Sequence, residues 1–422
     1  MKFGVSLQKL QQTISPAVMR DYFALISGSL GRLVVSLIYF IALANSLSLA
    51  DFGLFATASA AGVVLSRLVA LGFNSPLYRI ATVKPHLLGT YTAGYLLSIL
   101  ASIPLFALAT IGAYLIFFKD NVSFWPFAII VIAEALVWRS AEIIIIVNNG
   151  LGRFGRGSFL TIAGTAARSA AAFLFAFTSA KDISHWAWWY LGANVFSLLL
   201  ALQFYPKVRL RLRPKLYVRR IADSLSVTAA EFLFYLQNEF DKLLVLSFGG
   251  PTIAGIYAII MRLVDLTAVP IRSFNMMLVQ KLMRKPDLLA SAKIKLGMEG
   301  GIFIVSTIAL GGLATVLYIF PNALGSNVAP VAGLVPLVLL VPGLRNLIEY
   351  QNELLYARGQ SGLRAINLSV TALIKALLIW LLLRNNHDGN DWIIWLNACF
   401  VVLYLFSACF TYWHIKKPAK RI

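Results

Sequence analysis

The chain has 422 residues, of which 59% are hydrophobic and 13% charged, and its mean hydropathy is +0.79. Soluble domains carry about 45–50% apolar and about 25% charged residues, so this composition excludes a soluble globular enzyme and a disordered chain. In a soluble protein the formal net charge of +20 would indicate nucleic-acid binding. Its distribution along this chain indicates membrane topology instead, and we expect no nucleic-acid partner.

The apolar residues fall in runs of about twenty, the length that an α-helix needs to cross a bilayer. Hydropathy therefore predicts an all-α polytopic membrane protein with twelve transmembrane helices. The predicted spans cover residues 21–47, 52–73, 88–118, 124–147, 158–177, 186–205, 223–248, 253–278, 296–320, 329–350, 363–383 and 392–413.

The positive charges lie mostly on one side of these spans. The two terminal segments and the loops after the even-numbered spans hold most of the Lys and Arg residues, whereas the opposite loops hold only Lys119, Lys181 and Arg384. By the positive-inside rule, both termini are predicted to lie in the cytoplasm.

The lengths of the loops and the spacing of the polar residues argue against most kinds of catalytic and metal site. No outer loop is long enough to fold as a domain, which argues against a membrane enzyme that assembles polysaccharide, such as a polymerase. The four His residues are scattered, no cluster has metal-ligand spacing and no Walker motif occurs. We therefore expect no catalytic residues and no metal site, which leaves a transporter or a scaffold.

The two halves of the chain resemble each other weakly. The offset that aligns Asp21 with Asp223 also aligns Gly53 with Gly255. Because six spans separate equivalent positions, both halves have the same orientation, which predicts a parallel repeat with binding between its halves. The predicted organisation is an N-lobe over 1–204, a basic cytoplasmic linker over 205–222 and a C-lobe over 223–422.

Three short segments carry a resemblance to a known family. Residues 238–258, in which Asp241 follows an Asn and a Gly-Ile-Tyr turn opens the next span, resemble the seventh-to-eighth helix signature of polysaccharide flippases. Residues 50–55 are similar to the matching N-lobe turn, and residues 356–359 to the tenth-to-eleventh connection. The group is the Wzx-like branch of the multidrug/oligosaccharidyl-lipid/polysaccharide exporter superfamily.

This resemblance implies two six-helix lobes around a central cavity in a bacterial inner membrane. The implied cargo is a polyprenyl-diphosphate-linked oligosaccharide, moved by alternating access from the cytoplasmic to the outer leaflet. Membrane lipids and a polysaccharide polymerase are further implied partners. Two alternatives stay open: a cation-coupled multidrug exporter of the same superfamily, whose cavity should be acidic or neutral, and the less favoured polymerase.

Charged residues inside the predicted spans are the candidate functional residues. A charge at mid-bilayer costs about 2.5–3.5 kcal/mol on insertion scales, so such groups must face water, each other or a ligand. Spacing of one helical turn predicts ion pairs within a helix. The predicted couples are Arg139 with Glu142, Arg262 with Asp265, and Arg345 with Glu349.

Three cations have no acid within one turn of their own helix: Arg32, Arg168 and Lys375. We hypothesise that these three and Arg262 form a cationic ring at mid-membrane that receives the diphosphate and acidic sugars. Guanidinium groups bind phosphate bidentately and stay charged while they do so. The alternative is a structural ion network. The predicted substrate-binding residues are Arg32, Arg168, Arg262, Lys375, Arg139 and Arg345.

The resemblance also implies coupling to Na⁺ or H⁺ through acids of the C-lobe, and no other cofactor. Asp241 matches the family's Asp, and Glu239, Glu231 and Asn238 lie near it on the predicted seventh helix. These four are the predicted ion-coupling residues. Lys242 beside Asp241 leaves open the alternative that a fixed ammonium group replaces the coupling ion.

Overall fold

The computed structural model describes residues 31, 33–284, 292–385 and 391–415, with only the backbone at 269–270, 272–284, 292–293 and 385. The beginning of the first predicted span and the candidate residue Arg32 lie outside the described residues. Nearly all of the described chain is helical, and no β-strand occurs in it. We call the side predicted to face the cytoplasm the inner side.

The long helices follow the twelve predicted spans, and α7 and α8 share one continuous helical stretch, Pro214–Arg284. The others are α1 (Leu33–Ser46), α2 (Leu49–Leu65), α3 (Leu88–Phe117), α4 (Phe124–Ile132, a π-helical segment Ala133–Trp138, and Arg139–Gly150), α5 (Phe154–Phe175), α6 (Ile183–Gln203), α9 (Ala292–Ile319), α10 (Val341–Ala357), α11 (Ser361–Asn385) and α12 (Trp392–Ile415).

Gly250 divides α7 from α8. Its φ of 78° and ψ of 177° lie outside the helical region, and glycine adopts such angles readily because it has no Cβ. The seventh helix begins at Pro214 rather than at the predicted residue 223. Proline is favoured in a first helical turn, where its missing N–H has no helical partner in any case.

The tenth predicted span is wrong in its position. The prediction covered 329–350, whereas the long helix of this region is Val341–Ala357 and shorter turns precede it. Pro330, Pro336 and Pro342 each lack the N–H that a continuous helix requires. Hydropathy does not register this interruption because the segment stays apolar throughout.

The second predicted span also differs from the structure. It was expected over 52–73, but α2 ends at Leu65 and a separate short helix, Asn74–Val83, follows. Between them Ala70 and Leu71 have φ of 60° and 47°. Left-handed residues cannot continue a right-handed helix, so the chain turns here.

The helices are suited to a membrane. Six of them are long and apolar enough to cross one, and the stretch Pro214–Ala268 that α7 and α8 share counts as a single helix among the six. Large apolar side chains on α3 and α9, such as Leu108 and Ile308, are exposed. An apolar surface of this kind is stable against lipid and unfavourable in water.

α2 and α8 cross at their first turns in a reciprocal contact. A Cβ added to Gly53 would lie 2.3 Å from the carbonyl oxygen of Pro251, and one added to Gly255 would lie 2.1 Å from that of Leu49. The offset that aligns Gly53 with Gly255 also aligns Leu49 with Pro251. The two halves therefore meet in the symmetric way that a duplicated chain predicts.

A second contact near the outer side joins the end of α1 to the segment after α9. Asn45 donates to the carbonyl of Leu324 at 2.8 Å and accepts from the backbone N–H of Asn327 at 3.1 Å. The side chain of Asn327 in turn donates to the carbonyl of Leu47 at 3.2 Å. The two halves are thus in contact along the outer side.

Gly53→Val should destabilise the crossing of α2 and α8. The new side chain would meet the backbone carbonyl of Pro251, which cannot rotate away. We expect a loss of about 1–3 kcal/mol, as for overpacked cores, seen as a lower thermal unfolding midpoint of the purified protein. Gly192→Val is the matched control, since nothing lies within 4 Å of a Cβ at that helical position. Equal midpoints for both variants would contradict the tight crossing.

Candidate functional site

Four ionised side chains from α4, α7 and the turn after α2 connect the halves of the protein. Arg139 donates to Glu142 at 2.6 Å and to Glu231 of α7 at 3.1 Å. Arg67, in the turn after α2, lies 3.8 Å and 3.9 Å from the same two carboxylates. We call these four residues the inter-lobe ion network. It confirms the predicted Arg139–Glu142 pair and adds a partner from the other half.

The two sides of this network differ in burial. The side chains of Arg67 and Arg139 are 7% and 6% exposed, whereas those of Glu142 and Glu231 are 31% and 32% exposed. The guanidinium of Arg67 also stacks on the ring of Tyr235, 3.7 Å from its centroid. The cations are therefore fixed in the packed interior, and their counterions lie where solvent or a ligand reaches them.

Asp241 lies in a second ion cluster, inside the C-lobe. Its side chain is buried, accepts a hydrogen bond from Tyr257 at 2.7 Å and lies 3.3 Å from the ammonium of Lys375. Lys375 also donates to the backbone carbonyl of Gln237. Lys375 has no acid on its own helix, and its partner comes from α7. Lys375, which was hypothesised to belong to the cationic ring, is therefore already neutralised by Asp241.

Two predicted pairs within single helices are wrong. Asp265 was expected to pair with Arg262 but lies 3.0 Å from Arg345 of α10. Arg345 was expected to pair with Glu349. One-turn spacing allows a pair within a helix, but in a bundle a carboxylate on the neighbouring helix competes for the same cation.

The remaining predicted ion-coupling residues also have partners. Glu239 lies 2.5 Å from the ammonium of Lys242, and Asn238 donates to the carbonyl of Phe234 at 3.1 Å. Asn238, Arg345 and Lys375 line a cavity of about 20 Å³, roughly the space of one water molecule. Within the described part of the chain, no three His, Cys, Asp or Glu residues group as metal ligands.

Arg168 and Arg262 are predicted cations without an ion pair in the described part of the chain, although Tyr190, which donates to the buried Glu134, also contacts Arg168. Arg168 stacks on Trp138, 3.9 Å from the ring centroid, and contacts the carbonyl of Gly164 at 3.4 Å. Arg262 donates to the hydroxyl of Ser36. Among the side chains that the structure describes, no carboxylate lies within ion-pair distance of either guanidinium. We call them the mid-membrane arginine pair.

The mid-membrane arginine pair faces one stretch of α1 from both halves of the protein. The buried hydroxyl of Tyr39 lies near Tyr190, Arg168, Glu134 and Arg262. Ser169 donates to the carbonyl of Val35 at 2.9 Å and so holds α5 against α1. The structure thus brings together two of the four hypothesised ring residues, one from each predicted lobe.

Glu134 is a buried acid that the sequence analysis gave no role. It accepts from Ser59 at 2.6 Å and from Tyr190 at 2.5 Å. It lies in the π-helical segment Ala133–Trp138, which also carries Trp138, the partner of Arg168. Such segments occur frequently at functional sites. A charged residue in an apolar span was the only available signal for it.

Glu299 on α9 is a second acid without a predicted role. Gln351 of α10 donates to its carboxylate at 3.1 Å, and Tyr404 and Tyr412 of α12 donate at 2.9 Å and 2.7 Å. Three neutral donors from two other helices thus satisfy a carboxylate that is 9% exposed. Its spacing from these partners in sequence is too large for any pattern to indicate them.

Glu231→Gln should destabilise the protein, because it leaves two buried guanidinium groups with a single carboxylate. Breaking a buried ion pair costs about 3–5 kcal/mol, and the partial exposure of Glu231 reduces this to about 1–3 kcal/mol. The measurement is the thermal unfolding midpoint. Asp223→Asn on the same helix removes an exposed pair with Arg220 and is the control, expected to change the midpoint little. An unchanged midpoint for Glu231→Gln would contradict the network.

No protein-family model and no curated protein sequence matches the chain. Solved structures do. An inward-facing multidrug resistance MATE family transporter of the MOP superfamily is 12% identical with a TM-score of 0.59, covering 94% of this chain and 99% of that one. A MATE in complex with MaL6 is 14% identical with a TM-score of 0.55, covering 93% and 97%.

An outward-facing conformation of a multidrug resistance MATE family transporter is 13% identical with a TM-score of 0.50, covering 93% of this chain and 95% of that one. At such identities the likeness is one of fold. The chain is therefore a multi-pass membrane protein with the MATE fold. This confirms the predicted class of twelve transmembrane helices in two six-helix lobes around a central cavity.

Proposed function

We propose that the protein is a membrane transporter, not an enzyme, that flips polyprenyl-diphosphate-linked oligosaccharides from the cytoplasmic to the outer leaflet by alternating access. The observation that carries the proposal is the mid-membrane arginine pair: Arg168 and Arg262 come from different lobes, and neither has a carboxylate partner among the described side chains. Ionised groups at this depth are costly without a counterion. An anionic headgroup between the lobes supplies one.

The diphosphate suits these two side chains better than other ligands do. Guanidinium stays protonated in a desolvated site and offers paired N–H groups to phosphate oxygens. Stacking on Trp138 holds the guanidinium plane of Arg168 in place while leaving its edge available. Because the pair spans both lobes, a bound headgroup interacts with both and is released when they separate.

The inter-lobe ion network extends this arrangement toward the inner side. Its buried Arg67 and Arg139 are neutralised by half-exposed Glu142 and Glu231. In the proposed cycle these carboxylates serve as counterions while the transporter is empty, and phosphate takes their place during loading. Exchange of one anion for another avoids a state with two unpaired buried cations.

Contact between the lobes along the outer side supports alternating access. Gly53 and Gly255 pack against backbone there, and Asn45 bonds across to Leu324. The TM-score is 0.59 with an inward-facing MATE structure and 0.50 with an outward-facing one. Both observations support a state that is closed on the outer side, as loading from the cytoplasmic leaflet requires.

Arg168→Gln and Arg262→Gln should each reduce flipping of a short-sugar diphosphate lipid in proteoliposomes by about 10-fold or more. Loss of a charged hydrogen bond to phosphate costs about 1.5–3 kcal/mol, which corresponds to that range. The unfolding midpoint should change less than in Glu231→Gln, since no described carboxylate lies within ion-pair distance of either guanidinium. Arg156→Gln is the control, because Arg156 is an exposed cation in the first turn of α5. Wild-type flipping in both test variants would refute the proposed binding role.

A multidrug exporter is the second candidate, because the similar solved structures are multidrug resistance transporters. Export of cationic drugs calls for accessible acids at the binding site, whereas Asp241, Asp265 and Glu239 each have a cation beside them. The two candidates are separated by the Arg168→Gln/Arg262→Gln variant. A drug exporter should retain cationic dye efflux in this variant, and a flippase should lose headgroup transport.

For ion coupling we propose that Lys375 acts as a fixed counterion where a Na⁺ or H⁺ site was predicted. The ammonium lies 3.3 Å from Asp241, and two further predicted coupling residues, Glu239 and Glu231, also contact cations. The cavity beside Lys375 has room for about one water molecule. A carboxylate with a permanent cationic partner has less need of a mobile one.

Lys375→Met should therefore make transport depend on Na⁺ or on pH, because it leaves the Asp241 carboxylate buried and without its cation. Wild-type transport should persist when both ion gradients are collapsed. The measurement is the initial transport rate with and without each gradient. Lys375→Met combined with Asp241→Asn removes both charges and should abolish the acquired dependence; wild-type transport that stops without a gradient would contradict the fixed counterion.

Location in a bacterial inner membrane, with cytoplasmic termini, belongs to the same proposal, as do lipid and polymerase partners. The support is the charge asymmetry of the loops and the apolar exposed surfaces of α3 and α9.

A further inference from the structure

A groove of about 270 Å³ opens at the inner side between the two lobes. One wall is the short helix Asn74–Val83 and the segment after it, with Arg79 and Lys84. The other is the beginning of α7, with Arg220 and Asp223. No step of the proposed transport cycle has used it so far.

The groove is amphiphilic in composition. Three cations and one acid line it together with Pro76, Ile80, Val83 and Val227. Val83 is 64% exposed, so its apolar part extends to the outside of the bundle. A groove with cationic and apolar sides at a membrane surface matches a molecule with an anionic head and a hydrocarbon tail.

Arg220 is available for such a head. Its only ion pair in the described chain is with Asp223 at 3.5 Å, and the two side chains are 46% and 72% exposed. An exposed pair of this kind contributes about 0–1 kcal/mol. A phosphate group with more than one negative charge displaces Asp223 from Arg220 at little energetic cost.

The groove continues along α7 to the inter-lobe ion network. Asp223, Val227 and Glu231 are four residues apart and lie on one face of the helix. The first two line the groove, and Glu231 contacts Arg139. Asn74 adjoins the opposite wall and donates to Glu231 at 3.2 Å. The groove and the buried arginines therefore belong to one continuous face between the lobes.

We propose that this groove is a loading site that binds the phosphate headgroup of an amphiphile from the inner leaflet before the headgroup moves to the buried arginines. The proposal rests on the flippase function and names where its cargo is first captured.

The test measures binding of geranyl diphosphate to the full-length protein in detergent by calorimetry. The mid-membrane arginine pair is first removed with Arg168→Gln and Arg262→Gln, so that it no longer contributes to binding. In that background we expect binding to persist and to weaken about 10-fold when Arg79→Gln and Arg220→Gln are added. Arg219→Gln, which removes the neighbouring exposed cation outside the groove, should leave it unchanged.

Comparing the affinities of inorganic pyrophosphate and geranyl diphosphate shows whether the groove binds a free anion or a lipid headgroup. We expect pyrophosphate to bind at least about 10-fold more weakly, because it lacks the tail that contacts Val83 and Ile80. Equal affinity would overturn the lipid assignment. In proteoliposomes, the Arg79→Gln/Arg220→Gln protein should need more substrate for the same flipping rate and reach a similar maximum.

The remaining outcomes separate this inference from the proposed function. If wild-type protein binds geranyl diphosphate but the groove substitutions change nothing, the loading site is refuted and the flippase proposal stands. If wild-type protein neither binds geranyl diphosphate nor flips the diphosphate lipid, both are refuted. Unfolding midpoints of all variants exclude misfolding as the cause of lost binding.

Discussion

Ionised side chains at bilayer depth need a counterion or a ligand, and this requirement organises the interior of the protein. Arg139 is paired by Glu142 and Glu231, Lys375 by Asp241, and Arg345 by Asp265. Most of these pairs join different helices, so they link parts of the chain that apolar packing alone leaves free to slide. Apolar contacts, which have no preferred direction, hold the helices together as a bundle. The ion pairs specify which helices are neighbours in it.

The exceptions to this pairing are what suggest a function. The mid-membrane arginine pair contacts an aromatic ring, a hydroxyl and backbone oxygens, and no described carboxylate lies within ion-pair distance of it. Neutral partners satisfy the hydrogen bonds of a guanidinium without cancelling its charge. In the proposed function a phosphate-bearing headgroup cancels this charge, and the groove at the inner side is the proposed route along α7 toward the same interface.

The lobes are joined in two chemically different ways. On the outer side, Gly53 and Gly255 bring two backbones into contact, and the backbone atoms there leave no room for a larger side chain. Deeper in, the inter-lobe ion network uses long side chains and half-exposed acids that can exchange partners. A rigid contact at one end and an exchangeable one further in suit a molecule whose lobes rock about their interface.

The sequence by itself determined the membrane class and the positions of most spans, and it predicted the duplication that aligns Gly53 with Gly255. Hydropathy, the charge of the loops and the constant spacing between matching residues of the two halves are all properties of the linear sequence. They therefore require no knowledge of the fold. The sequence also singled out Arg168 as a cation without a nearby acid on its own helix, and it placed Arg262 in the hypothesised ring although Asp265 lies one turn away. Which charges meet was decided only by the tertiary structure, because Lys375 and Arg345 pair across helices that are far apart in sequence. The contact of Glu231 with Arg139 and the walls of the groove were likewise decided only by the tertiary structure. Contacts between lobes depend on how the lobes dock, which spacing along a single helix cannot encode.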